Sequence, residues 1–307
     1  MSPTSGSPGD TARPPHIGRP PPGNGVGEVA EYYDRNTGRF LLVGRAGTSY
    51  AIHRQLWGPG VDTPAAAAAH INHLLVQEIR GRRDGPPGRL LDLGCGVGGT
   101  VFHLARAFPD SRVRGITISP RQVEIAGRLA EELGLSSRCA FHLGDFTALE
   151  PAPPGEGADA AVAVESFVHA RDRAAFLSAA AGQLAEGGLL LVVDDFLATD
   201  EDRLTPVLRR NVERFRTGWR VPGLCTAGAL QRSAREAGLE PVESLDLTGL
   251  IRTGRPRDRL IGLLAPLFSG AGLVGIPFFG NMIGGNALQR GIRGGAIHYR
   301  MELFRKG

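Results

Sequence analysis

From Arg89 onward the chain alternates between two hydrophobic periods. Short apolar runs of strand length (Arg89–Leu93, Arg112–Ile118, Cys139–Leu143, Ala158–Val164 and Leu189–Asp194) are separated by stretches whose apolar residues recur at helical spacing. Those stretches are 99–107, the segment through Gln122 to Leu133, and 172–185, with a turn expected at Glu186-Gly187-Gly188. Such alternation predicts an α/β fold, a doubly wound and mostly parallel sheet whose ligands lie beyond the C-terminal strand ends. Thr63–Arg82 has helical periodicity through Ile71, Leu74, Leu75 and Ile79 and should pack on the sheet. The last stretch, Ala296–Phe304, alternates like a closing edge strand.

The flanks obey other patterns. Residues 1–27 are rich in Pro, Gly and Ser without the apolar core of a signal peptide, and read as a disordered leader. Glu28–Leu41 is a polar-aromatic helix candidate, and Gly44–Trp57 follows it with Tyr50 and His53. Together they read as a lid across an active-site mouth. Leu260–Leu288 holds no charged residue, but Pro266, Pro277, Asn281, Asn286 and seven glycines argue against a continuous membrane span. A lid lining an apolar channel, or an interfacial patch that collects lipid, explains it better. The expected organisation is a leader at 1–27, a helical lid at 28–82, a cofactor-binding core at 83–200, and at 201–307 an apolar lid insertion with strands completing a seven-stranded sheet.

With 307 residues, 42% of them hydrophobic, the chain can bury one large core. Its net charge of +4 is uneven: +2 for residues 1–100, −6 for 101–200 and +8 for 201–307. The basic last third invites an anionic substrate group or a membrane surface. Nucleic acid is disfavoured, because the arginines are interleaved with glycine and apolar residues. Cys95, Cys139 and Cys225 are neither even in number nor spaced for zinc or disulfides, and read as buried thiols of a cytoplasmic protein.

The chemistry centres on Arg89-Leu-Leu-Asp92-Leu-Gly94-Cys95-Gly96-Val-Gly98-Gly-Thr100, a strand, a glycine turn and a helix start. The glycines let a ligand lie against the main chain. Dinucleotide enzymes use a similar turn for pyrophosphate. Asp92, however, would repel a pyrophosphate and attract a cation.

This string resembles the first motif of class I S-adenosylmethionine (SAM) methyltransferases. The resemblance implies SAM as cofactor, with Asp92, Gly94, Cys95 and Gly96 against it. Gly115-Ile-Thr117-Ile118-Ser119-x-x-Gln122 resembles the subgroup holding sterol and prenyl diphosphate C-methyltransferases, tocopherol methyltransferases and cyclopropane fatty acid synthases. There the neutral segment, with Thr117, Ile118 and Gln122, is implied to serve the ribose. Helix capping by Ser119 before Pro120 is a second reading of the same residues. Asp145 resembles the family residue on the adenine amino group, with Phe146 against the ring; a turn aspartate is the alternative.

Glu165 follows the apolar run Ala160–Val164, with His169 four residues later. A carboxylate there needs a raised pKa or a partner such as His169. Asp159–Asp172 resembles the sterol and prenyl C-methyltransferase signature, which implies an acidic active-site residue. A salt bridge from Glu165 to Arg171 or Arg173 is the structural alternative. Tyr32, Tyr33 and Tyr50 resemble an aromatic lid loosely and would serve equally as core aromatics. Arg209, Arg210, Arg214 and Arg216, interleaved with Phe215 and Trp219, form either a solvated helix face or a clamp on a diphosphate.

The leading expectation is methylation of an isoprenoid, prenyl diphosphate carbon in secondary metabolism. Tyr33, Tyr50, Phe167 and Trp219 would stabilise a carbocation and Glu165 would remove a proton, with Mg2+ at a diphosphate head. The alternative is O- or N-methylation of a small natural product, with Glu165 or His169 deprotonating it. A non-catalytic SAM-fold protein is a third class, opposed by the intact Asp92, Gly94, Gly96 and Glu165. A small lipophilic substrate is the expected partner. Peripheral membrane contact and homo-oligomerisation stay open.

Overall fold

The computed structural model describes residues 50, 53–254 and 277–307, with backbone alone at 277–281. Helix α1, Pro64–Gly81, starts where Thr63 caps it: its side chain accepts the Ala66 N–H at 3.1 Å, and Pro64 occupies the first turn, where no N–H is needed. Strand β1 (Arg89–Leu93), helix α2 (Gly99–Ala107), β2 (Arg112–Thr117), α3 (Pro120–Glu132), β3 (Cys139–Leu143) and β4 (Ala158–Val164) follow as the periodicity predicts. Then come α4 (Arg173–Gln183), β5 (Leu184–Leu197), α5 (Pro206–Trp219), α6 (Ala227–Glu236), β6 (Leu239–Asp246), α7 (Pro277–Arg293) and β7 (Ile297–Lys306). The seven strands form one sheet in the order β3-β2-β1-β4-β5-β7-β6. The five neighbours from β3 to β5 are parallel, and β7 runs antiparallel to both β5 and β6.

Two expectations change. The glycine turn at 186–188 is absorbed into β5, which runs straight on from α4. The C-terminal strand is not an edge: β7 lies between β5 and β6, paired from Leu189↔Arg305 to Leu197↔Ile297. Its alternation has a different cause, because the polar Glu302 is fully buried and accepts hydrogen bonds from Gln231, Ser244 and Arg300 at 2.8, 2.5 and 3.0 Å. The real edge, β6, carries few apolar residues and had no readable strand pattern. Of the expected lid segment at 28–82, residues 28–49, 51 and 52 lie outside the described residues and 64–81 are α1; of the charge-free stretch at 260–288, residues 260–276 lie outside them and 277–288 begin α7. Among the described residues no helix is long and apolar enough to cross a membrane.

Each sheet face carries a core. One is filled by Ile71, Leu75 and Ile79 of α1 with Phe102 of α2 and Tyr299 of β7; the other by Phe176 of α4 and Leu230 of α6 against Leu190 and Val192. A third cluster joins Val212 and Phe215 of α5 to Ala287 and Leu288 of α7. These helices leave the C-terminal ends of β1, β2, β3, β4 and β5 to carry polar residues together.

Candidate active site

At the end of β1 the chain turns through Gly94, Gly96 and Gly98, all with positive φ (97°, 55° and 91°), a conformation that costs an L side chain dearly. A Cβ at Gly94 would collide with Ser166, whose hydroxyl donates to the Leu93 carbonyl at 2.6 Å and ties the end of β4 to that of β1. Gly96 instead faces open space. Beneath the turn, Asp92 is 2% exposed and makes no hydrogen bond among the described residues. Burial pushes its pKa up to about 7. An unpaired carboxylate under an open glycine turn fits a ligand that brings positive charge. Burial, then Asp92, pushes the Cys95 thiol well above its usual range, so Cys95 stays a neutral thiol.

At the end of β2 the capping reading of the sequence holds. Ser119 caps α3 by accepting the Gln122 N–H at 3.1 Å, while the Thr117 hydroxyl donates to Gln122 Oε1 at 2.6 Å. Ile118 stands half-buried between them. After β3, Asp145 Oδ1 accepts from the Thr147 N–H and hydroxyl at 2.8 and 2.7 Å, so it is a turn aspartate that uses one of its two oxygens. Phe146 meets Phe176 edge-on at 5.4 Å and reaches the Gly94 turn. These residues converge with Asp92 on one sheet edge.

After β4, Glu165 has left-handed backbone (φ 49°), a strained conformation for a non-glycine residue of the kind that collects at functional sites. Its N–H is anchored on the Val193 carbonyl at 2.8 Å. Its carboxylate takes neither expected partner. Glu165 Oε1 accepts from the Tyr299 hydroxyl at 2.8 Å and the Arg54 backbone N–H at 3.0 Å, while Arg173 bonds Ser233 instead. The Arg54 guanidinium grips Asp195 with two bonds of 2.6 and 2.5 Å and lies 4.8 Å over the Tyr299 ring and 5.9 Å from that of Trp219. Beyond the doubled Asp194-Asp195 at the end of β5, no local sequence pattern marks Arg54, Asp195 or Tyr299 as site residues.

His169 ends a single 3-10 turn, Phe167–His169. Its Nδ1 lies 3.2 Å from the Arg220 carbonyl, which can only accept, so the proton sits on Nδ1 and the lone pair on Nε2. Arg220 is itself left-handed (φ 53°), turning that carbonyl toward the imidazole. Burial lowers the His169 pKa below the ordinary histidine value. His53, beside Arg54, is likewise shifted down by burial, and its Nε2 is buried without a partner among the described residues.

Other expected site residues fall elsewhere. Phe167 is fully buried between Phe176 and Phe196, at 5.2 and 6.1 Å, so it belongs to the core and not to a substrate surface. Tyr50 packs its ring edge-on against Phe102 of α2 at 6.3 Å, and Tyr33 lies outside the described residues. Arg209 donates to the carbonyls of Glu201, Asp202 and Leu204, closing the turn before α5. Arg210 and Arg214 line a groove against α7 that none of the Glu165 cluster enters. Of the predicted substrate residues, Trp219 alone reaches that cluster, through Arg54. Among the described residues no group of His, Cys, Asp or Glu is arranged to hold a metal ion.

A family model described as a methyltransferase domain matches residues 90–188. The chain is 33% identical over 218 residues to 27-O-demethylrifamycin SV methyltransferase of Amycolatopsis mediterranei, covering 68% of this chain and 78% of that one. It is 28% identical over 258 residues to ajmaline N-methyltransferase of Rauvolfia serpentina, covering 80% and 83%. Among solved structures, geranyl diphosphate C-methyltransferase from Streptomyces coelicolor A3(2) is similar in fold, with TM-score 0.67 and 17% identity over 94% of this chain and 100% of that one. With relatives this similar along most of its length, and a glycine turn over an unpaired buried carboxylate, the chain belongs to the S-adenosylmethionine-dependent methyltransferases.

Proposed function

We propose that this enzyme methylates an oxygen or nitrogen atom of a small, largely apolar natural product, with His169 as general base. The observation that carries this reading is the Nδ1–H bond to the Arg220 carbonyl. It places the proton on Nδ1 and so makes Nε2 the basic nitrogen, and the lowered pKa keeps the ring neutral at physiological pH. SAM supplies a methyl group already made electrophilic by the sulfonium. The chain's share is to align the acceptor, exclude water and take its proton on His169 Nε2. Asp92 would face the cofactor's positive charge, with Gly94, Cys95 and Gly96 allowing close approach. Thr117, Ile118 and Gln122 would serve the ribose, and Asp145 and Phe146 the adenine. The names of the rifamycin and ajmaline relatives, one an O-methylating and one an N-methylating enzyme, support the choice of a heteroatom.

A second reading, C-methylation of an isoprenoid diphosphate with Mg2+ at its head, is favoured by Glu165. That residue stands on a strained turn at the end of an apolar strand, and its Oε2 makes no hydrogen bond among the described residues. Oε2 would then take the proton.

The two are separated by incubating the protein and SAM with a panel of phenols and amines, and with prenyl diphosphates with and without Mg2+. The heteroatom reading expects methylated phenol or amine, and a kcat lower by about 10²–10⁴ in His169→Gln with SAM affinity unchanged. Methylation of prenyl diphosphates alone, lost in Glu165→Gln and kept in His169→Gln, would replace it by the carbon reading.

A further inference from the structure

Helices α5 and α7 pack antiparallel. At one end Gly284 sits under Trp219; at the other, Gly294 meets Leu208. Beyond that second contact the pair opens into a groove of about 630 Å³ whose walls carry Arg210 and Arg214 from α5 and Arg290 and Arg293 from α7. No acidic residue lines it. The nearby carboxylates Glu201 and Glu213 are engaged by Arg216 instead. Arg210 and Arg214 make no ion pair among the described residues. Four guanidinium groups around one concavity raise its positive potential, which an anion between them would neutralise.

Solvated arginines on a helix would need no more explanation than that, but Asn211 does. It also lines the groove, is 8% exposed, and its side-chain amide makes no hydrogen bond among the described residues. Set in the groove wall, that amide offers a ligand oxygen an N–H donor beside the guanidinium groups. Along α5, Arg210 is nine residues from Trp219, about 13 Å at 1.5 Å per residue. The groove is therefore separate from the cluster around Glu165.

We propose that this groove binds a phosphate-type anion, held by guanidinium forks from both helices and by the Asn211 amide. Guanidinium matches phosphate oxygens two at a time, and bridging cross-braces α5 to α7. The anion's source is either a soluble phosphate-bearing molecule or a phospholipid headgroup. Val207, 59% exposed at the groove's lip, gives the second source an apolar contact. The proposal is independent of which acceptor atom is methylated.

The test is a calorimetric titration of the full chain with inorganic diphosphate at fixed ionic strength, beside flotation with phosphatidylcholine vesicles with and without phosphatidylglycerol. Saturable diphosphate binding that falls roughly 10- to 100-fold in Arg210→Gln/Arg214→Gln, and also weakens in Asn211→Leu, supports the site with a soluble source. Binding to the phosphatidylglycerol vesicles alone, lost in the same variants, supports it with a lipid source. SAM affinity equal to that of the unaltered protein shows that the variants are folded. Absence of both kinds of binding, or binding that the variants retain, overturns the proposal.

Discussion

Replacing Asp92 by Asn keeps the shape under the glycine turn and removes its charge. In the free protein burial raises this carboxyl from 3.8 to about 7, about 3 units, equivalent to about 4 kcal/mol. Because the folded value lies above the unfolded one, the group's contribution to stability is complete below about pH 4 and is lost as pH rises to about 7. The difference in unfolding free energy between the two proteins should therefore change by a few kcal/mol across that window and flatten above it. A cationic ligand reverses the preference, since it stabilises the carboxylate. Below about pH 7 the carboxyl must release a proton to bind SAM, so affinity should fall toward tenfold per pH unit. At about pH 8 Asp92→Asn should bind SAM about 10- to 150-fold more weakly, the loss of one charge-assisted hydrogen bond of about 1.5–3 kcal/mol. Its affinity should also lack that pH dependence. Calorimetric titration of both proteins from about pH 5.5 to 8.5 measures this, and the comparison cancels the cofactor's own amino group, which titrates near 8. Equal affinities, or parallel pH profiles, would refute the assignment of Asp92 to the cofactor's charge.

Asp195→Ala leaves the Arg54 guanidinium without its two-bond partner. With side chains 16% and 1% exposed, this is a nearly buried pair, and its rupture should cost about 3 kcal/mol in chemical denaturation. Phe167→Ala should destabilise by about 3–5 kcal/mol, the cost of a cavity between Phe176 and Phe196, while leaving the KM for the acceptor unchanged; a selective rise in that KM would return Phe167 to the substrate surface. With SAM kept saturating, the fall in kcat/KM for the acceptor on the acid side, which the unaltered enzyme should show below about pH 6.5 as His169 Nε2 takes up a proton, should disappear from the residual activity of His169→Gln.

What the sequence determined by itself was whatever is local or repeated. The apolar runs of β1 and β4 are legible because these central parallel strands are buried on both faces, and the glycine turn because its conformation depends on three residues and their missing Cβ atoms. Asp92, Thr117, Gln122, Asp145 and Glu165 are legible as a group because one topological rule brings the C-terminal ends of parallel strands to one edge. Tertiary structure decided what those residues touch. Tyr299 and Arg54 meet Glu165 from 134 and 111 residues away, so no local spacing announces them. Periodicity reports how many faces of a strand are apolar, not its place in the sheet, and β7 looked like an edge because the fully buried Glu302 is polar. A phenylalanine just past a strand suits a ligand wall or a core equally well; the packing of α4 and β5 around Phe167 chose the core. The same holds for the arginines of α5. Their spacing shows a basic face, but only the approach of α7 separates Arg209, spent on backbone carbonyls, from Arg210 and Arg214, gathered with two more arginines around a groove.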